Sequence, residues 1–106
     1  MAIHELDRIK VKEVLPGFLG KFIHTEKLTV AFWEIKEGNI LPLHSHPHEQ
    51  VTIVQGGELE LTVDEETRIL KKGEVATVPS NSLHSGRAVT NCQVLDVFTP
   101  VREDYR

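Results

Sequence analysis

Residues 38–50 read Gly38-Asn-Ile-Leu-Pro-Leu-His44-Ser-His46-Pro-His48-Glu49-Gln50. In an extended chain, side chains two positions apart project to the same side, so His44 and His46 can converge on one ion. Paired imidazoles suit zinc, iron, nickel, copper or manganese, and further ligands must come from elsewhere in the chain. Without such ligands the same pair would belong to a solvated loop, so the interpretation depends on the rest of the sequence.

A second spaced pattern runs from Gly73 over five residues to Pro79, then past Asn81 to His84. Together, the two stretches resemble the motifs of the cupin family, G-x5-H-x-H-x3–4-E-x6-G over about residues 38–57 and G-x5-P-x-G-x2-H-x3-N over about 73–88. The resemblance implies an all-β fold, a cupin-type antiparallel β-barrel also called a double-stranded β-helix or jelly roll. It also implies one divalent transition metal in the mouth of the barrel.

The chain departs from the cupin motifs at three positions. Gln50 occupies the usual Glu ligand position, whereas Glu49 is one residue early and should face the opposite side of the strand. Asn81 replaces a turn Gly, which is tolerable because Asn accepts left-handed dihedral angles. Ala88 stands at the motif's final Asn. An amide ligand in place of a carboxylate leaves the ion its full +2 charge, so it should bind less tightly but polarise a bound oxygen more strongly.

Short segments rich in β-branched and aromatic residues alternate with turn signals, which is typical of a sandwich or barrel. The predicted strands are Ile9–Val14, Phe18–Ile23, Lys27–Ile35, Gln50–Gln55, Glu58–Asp64, Thr67–Lys71, Glu74–Val78 and Cys92–Thr99. The pair Gly56-Gly57 predicts a two-residue hairpin. Residues 28–35 also carry a helical stripe, although Thr29-Val30 favours a strand. A short helix over residues 2–8 is a further open alternative.

Composition bounds the class of protein. The 106 residues fit one domain, 1–106, and no linker or low-complexity stretch divides them. A net charge of −4 argues against a nucleic-acid partner. The longest apolar run, residues 30–33, is far short of a membrane span. The single Cys92 excludes an intrachain disulfide and suits a reducing compartment, so we expect a cytoplasmic protein in which this thiol lies in the core.

The last predicted strand, Cys92-Gln-Val-Leu-Asp96-Val-Phe98-Thr, is nearly all apolar, and Asp96 is its only charge. Val94, Asp96 and Phe98 share one face. A lone carboxylate among apolar neighbours is costly to bury, and its pKa should rise unless a cation pairs with it. That is the condition for a general acid or base near neutral pH. The alternative is a structural, salt-bridged Asp.

Residues 96–105, D-V-F-T-P-V-R-E-D-Y, resemble the C-terminal signature of one cupin subgroup, the pectin-degradation cupins. That subgroup also shows H-S-H-P-H-x-Q, which this chain has over residues 44–50. Its members convert 4,5-unsaturated monouronates into linear keto-uronates. The resemblance implies four metal ligands, at His44, His46, Gln50 and His84.

The same resemblance assigns roles to three residues near the end of the chain. It implies that Asp96 transfers the proton, Phe98 packs against the sugar ring and Arg102 binds the substrate carboxylate. A guanidinium suits that last role because its fork matches a carboxylate bidentately. The alternative for Arg102 is an ordinary charged tail residue.

The resulting hypothesis is a metal-dependent cupin that converts a 4,5-unsaturated monouronate, a small anionic sugar, to its linear keto form. Two rivals remain: a metal-dependent dioxygenase and a non-catalytic sugar- or metal-binding cupin. Small cupins commonly dimerise through N-terminal strands, so we expect a homodimer with residues 9–14 at its interface. We expect His48 beside the ligands or exposed, and His4 and His24 on the surface.

Overall fold

Strands make up nearly all the regular structure in the computed structural model, which describes residues 1–106. The ten strands are β1 (Lys12–Leu15), β2 (Phe18–His24), β3 (Thr29–Ile35), β4 (Ile40–His44), β5 (Glu49–Gly56), β6 (Glu58–Val63), β7 (Glu66–Lys71), β8 (Val75–Val78), β9 (His84–Ala88) and β10 (Cys92–Thr99). Two single 3-10 turns, Leu6–Arg8 and Glu103–Tyr105, flank them. No helix has the length and apolar character needed to cross a membrane.

The strands form two antiparallel sheets. The larger has the order β1-β2-β3-β10-β5-β8, and the smaller has the order β4-β9-β6-β7. Side chains alternate between the interior and the surface, as along β3, where every second residue from Thr29 to Ile35 is buried. The buried apolar cluster includes Phe18, Trp33, Leu59, Leu61 and Val94, contributed by strands of both sheets. This architecture confirms the predicted all-β cupin fold.

All eight predicted strands are present, with ends that differ by a few residues. The strand alternative for residues 28–35 is confirmed, because β3 shows period-two burial rather than a helical stripe. Cys92 is fully buried, as expected for a core thiol. Asn81 has a φ of 65°, the left-handed conformation expected where the motif has Gly.

Two strands, β4 and β9, were missed. Pro42 interrupts β4, and the pairing of β4 with β9 is irregular between Leu41 and His44. A proline is tolerated there because β4 is an edge strand of the smaller sheet. The β9 sequence, His-Ser-Gly-Arg-Ala, lacks the β-branched and aromatic residues on which strand prediction depends. Tertiary pairing, rather than local propensity, makes both segments extended.

The hairpin prediction at Gly56-Gly57 is wrong. The turn joins β5 to β6, but these strands lie in different sheets and do not pair. It carries the chain across the barrel, where Gly57 has a φ of 73° and a side chain would collide with the Asn91 carbonyl oxygen. Glycine is therefore needed here because the backbone at Asn91 approaches closely, and not because the turn is a hairpin.

The N-terminal predictions also need correction. The helix allowed over residues 2–8 is only the 3-10 turn Leu6–Arg8. The strand predicted from Ile9 begins at Lys12, since its pairing with β2 starts there, opposite Gly20. The alternation of apolar and polar residues therefore overestimated the length of β1. This edge strand pairs with one strand only, and its pairing begins at Lys12.

Candidate metal centre

Three histidines come together at one end of the smaller sheet. His44 is the last residue of β4 and His84 the first of β9, and the two are directly paired across the sheet. His46 lies in the connection from β4 to β5. One ring nitrogen from each of the three lies within 4.8 Å of the others, and His84 is almost fully buried. The predicted histidines therefore form one cluster, although a bend rather than a continuous strand brings His46 to it.

Backbone carbonyls determine which nitrogen of each ring carries hydrogen. The Nδ1 atoms of His44, His46 and His84 lie 2.8, 3.0 and 2.8 Å from the carbonyl oxygens of Pro42, His48 and Ser82. A carbonyl only accepts, so each Nδ1 donates and each Nε2 of the neutral ring keeps a free lone pair. Carbonyl partners of this kind are the usual supports of metal-binding histidines.

Burial favours the neutral form of the His46 and His84 rings. Desolvation, followed by the charges of Arg102 and His84, lowers the pKa of His46 to about 4. Desolvation also lowers the pKa of His84, whose Nε2 is buried and has no hydrogen-bond partner. A neutral ring with an unshared lone pair is the form that binds a metal.

Gln50 completes the cluster. It is buried, in contrast to the exposed Glu49, and its Oε1 lies 3.1 Å from Nε2 of His46. Its Nε2 points away and donates to Thr52 Oγ1 at 2.9 Å. Two acceptors, the Gln50 oxygen and the His46 nitrogen, thus face each other without a hydrogen between them. A cation would relieve this conflict, so the residues present fit a divalent metal with three imidazoles and one amide oxygen.

Asp96 lies beside the cluster on the central strand β10. Its Oδ1 accepts from Thr52 Oγ1 at 2.6 Å and from Gln50 Nε2 at 3.4 Å. Burial raises the pKa of Asp96 to about 6, although the hydrogen bonds from Thr52 and Gln50 favour the charged form. No cation pairs with it, because the nearby Arg102 forms its salt bridge with Asp104. The salt-bridged alternative for Asp96 therefore does not describe this structure.

Arg102 is buried rather than an exposed tail residue, with 7% of its surface accessible. Its Cζ lies over the ring of Phe98 and over the ring of Tyr105, 4.8 and 4.2 Å from their centroids. Asp104 accepts hydrogen bonds from Nε at 3.0 Å and from Nη2 at 2.7 Å. These contacts fix one edge of the guanidinium and leave Nη1 without a bond to the chain.

One cavity connects these groups. It is lined by His44, His46, Gln50, Asp96, Phe98 and Arg102 together with apolar residues of both sheets. Four contributors were missed from the sequence: Thr52, Trp33, Asp104 and Tyr105. A signal existed for Thr52, which lies two positions after Gln50 and so shares its face.

The other histidines differ from one another. His48 is half-buried, and its Nε2 lies 3.3 Å from the Val101 carbonyl oxygen, which places it beside the ligand cluster as expected. His4 is exposed, also as expected. The prediction for His24 is wrong, since its ring is half-buried, stacks on Phe22 and bonds to Thr29 Oγ1 at 2.8 Å.

A model of the cupin domain family matches residues 31–98 of this chain. The chain belongs to the cupin family. Among its relatives, the pectin degradation protein KdgF of Dickeya dadantii (strain 3937) is 34% identical over 102 residues, which are 93% of each chain.

Solved cupin structures superpose over the whole chain. KdgF from Halomonas sp. has a TM-score of 0.94 and 26% identity, covering 100% of this chain and 99% of its own. An RmlC-like cupin from Shewanella frigidimarina NCIMB 400 has a TM-score of 0.95 and 23% identity, with 100% and 96% coverage. At that lower identity the second likeness is one of fold alone.

Proposed function

We propose that this cupin binds one divalent transition metal and converts a 4,5-unsaturated monouronate to its linear keto form. The observation that carries the proposal is that three of the four candidate ligands, a buried carboxyl group and a buried guanidinium line one cavity. Its support from relatives is the 34% identity to a protein named for pectin degradation.

The chemistry requires a proton to be moved between two atoms of the sugar. Opening of the ring breaks the bond between C1 and the ring oxygen. The C1 hydroxyl loses its proton and becomes an aldehyde, and the ring oxygen gains a proton and becomes the C5 hydroxyl of an enol at C4–C5. The enol becomes a ketone when C4 gains one proton and the C5 hydroxyl loses one. No oxidant is needed, so a carboxyl group that can give and take a proton is sufficient.

Each group of residues in the site would have a separate role in this reaction. His44, His46, Gln50 and His84 would hold the metal, which when bound supplies a positive charge that polarises a substrate oxygen. Asp96 would move the proton, because it is the carboxyl group that lines the cavity beside the ligand cluster. Phe98 would pack against the sugar ring, and Arg102 would bind the substrate carboxylate through its uncommitted edge.

The proposal extends to assembly and compartment. The outer edge of β1 has no partner in the chain, and Met1, Ile3, Leu6 and Val11 before it are exposed apolar residues. We propose a homodimer through this N-terminal segment, to be tested by light scattering of the full chain and of a variant lacking residues 1–11. The single free thiol of Cys92 supports a cytoplasmic location.

The decisive experiment follows the conjugated-ene absorbance of a 4,5-unsaturated monouronate. Wild-type protein whose metal content has been measured should remove the absorbance, and chelated protein should not. A fully metallated wild type that leaves the absorbance unchanged would end the uronate proposal. Oxygen uptake by an iron-loaded sample would then favour a dioxygenase, and sugar binding without turnover a binding module.

A further inference from the structure

Thr52 occupies a position that the first cupin motif leaves unspecified, yet it lies between two groups of the site. It follows Gln50 by two positions on β5, so both side chains point inward, and only 2% of its surface is exposed. On the neighbouring strand β10 its direct partner is Asp96. A buried hydroxyl therefore sits between the amide of Gln50 and the carboxyl group of Asp96.

The hydrogen bonds of this hydroxyl have a fixed direction. Its single hydrogen is donated to Asp96 Oδ1 at 2.6 Å, which leaves only lone pairs towards Gln50. Gln50 must then present its NH₂ group, and Nε2 lies 2.9 Å from Thr52 Oγ1. The amide oxygen is thereby turned towards the histidines, 3.1 Å from Nε2 of His46.

This orientation is the opposite of what an isolated amide would adopt. An NH₂ group turned towards His46 would form a satisfied hydrogen bond with the free lone pair of Nε2, and the site would be closed by its own side chains. A glutamate at position 50 would not face this choice, because both its oxygens are acceptors. Using Gln as a ligand therefore requires a partner that selects one of two amide orientations.

We propose that Thr52 is a positioning residue that holds the Gln50 amide oxygen in the orientation that binds metal. The inference rests on the metal centre of the proposed function, but not on the identity of the substrate. The same hydroxyl bonds to Asp96 and to Gln50, so it links the carboxyl group and the candidate ligand by hydrogen bonds.

The test measures Zn²⁺ affinity by competition with a chromophoric chelator for wild type, Thr52→Val and Thr52→Ser. Valine keeps the shape of threonine and removes the hydroxyl, whereas serine keeps the hydroxyl. Loss of such a supporting hydrogen bond typically lowers metal affinity about 10- to 100-fold. We expect that loss in Thr52→Val and affinity within about threefold of wild type in Thr52→Ser. Thr62→Val, on the outer sheet surface, is the matched control and should bind like wild type.

A double-mutant cycle with Gln50→Ala shows whether Thr52 acts through the amide. Adding Thr52→Val to Gln50→Ala should cause no further loss of Zn²⁺ affinity, and the visible spectra of the two Co²⁺-loaded proteins should coincide. Thr52→Ala takes the place of valine in the same cycle if the valine protein does not fold.

Two results would overturn the inference. The first is a Thr52→Val protein that binds Zn²⁺ as tightly as wild type. The second is a loss of Zn²⁺ affinity caused by Thr52→Val that is as large in the Gln50→Ala protein as in wild type. If the protein did not convert the uronate but the double-mutant cycle gave the expected result, the substrate proposal would be wrong and the proposed role of Thr52 would still hold.

Discussion

The metal cluster and the carboxyl site lie side by side but are built on different kinds of structure. His44, His46 and His84 come from an edge strand, a connection and a strand end. Asp96 and Phe98 come from β10, which is hydrogen-bonded on both sides, to β3 and β5. The three histidines thus lie at the ends of strands or between them, whereas the candidate proton-transfer group lies within a strand that is paired on both sides. Variants can show whether the two regions work separately.

The largest effect should come from His84→Ala. Removing this buried ring takes away one ligand, so metal content and turnover should fall to those of chelated protein. A metal present at a thousand times its Kd stabilises a fold by about 4 kcal/mol, so chelation should lower the Tm of wild type by many degrees. It should leave the Tm of His84→Ala unchanged. The exposed His4→Ala serves as the control, and metal retention by His84→Ala would show that the cluster is misassigned.

Asp96→Asn should separate the two regions most clearly. The amide keeps the shape and an oxygen for Thr52, so metal content should remain that of wild type. Turnover of the unsaturated uronate should fall by about 10²- to 10⁴-fold, the usual contribution of a positioned general acid or base. Metal analysis and absorbance decay on one preparation measure both quantities. Asp64→Asn, in an exposed turn, provides the charge-matched comparison, and a fully active Asp96→Asn would remove this residue from the mechanism.

Arg102→Lys should have a smaller effect, mainly on substrate binding. Lysine keeps the positive charge but loses the fork and the contacts of the guanidinium with the rings of Phe98 and Tyr105. We expect KM for the uronate to rise by about 10- to 100-fold, in line with the loss of hydrogen bonds to a charged group, while kcat changes less. The exposed Arg87→Lys should be silent in the same steady-state assay. A change confined to kcat would contradict the carboxylate-binding role.

The smallest effect should come from Asp104→Asn. More than half of the Asp104 side chain is exposed, so its pair with Arg102 should contribute less than about 1 kcal/mol and change KM only a few-fold. The hydrogen bond from Arg102 lowers the pKa of Asp104, so the stabilisation is complete above the unfolded value of about 3.9 and is lost as pH falls through the lower folded value.

Urea unfolding at pH 3 and pH 7 tests this sign. The difference in stability between wild type and Asp104→Asn should shrink at the acidic pH. If the stability difference between wild type and Asp104→Asn increased at pH 3, the ion pair with Arg102 would not be the way in which Asp104 stabilises the fold.

The fold and the clustering of three histidines could be predicted because the spacing of His44, His46 and His84 follows the two cupin motifs. The register of β10 against β5 could not be predicted, since pairing between strands more than forty residues apart leaves no local pattern. The role of Thr52 could not be predicted for the same reason, because it depends on the pairing of Thr52 with Asp96. The hairpin prediction at Gly56-Gly57 was wrong for a different reason, because the same dipeptide can form either a hairpin or a connection between two sheets.

The pairing of β10 also governs which changes in chain length the protein can accept. Asp96 faces Thr52 and Phe98 faces Gln50, and side chains along a strand alternate between the two faces of the sheet. Deletion of one residue within β10 would turn Leu95 inward and Asp96 outward, exchanging a carboxyl group for a leucine in the cavity. The exposed turn between β6 and β7, residues 64–65, lies outside both motifs and carries no such constraint. Insertions and deletions in natural variants should therefore accumulate in that turn and be absent from residues 92–99.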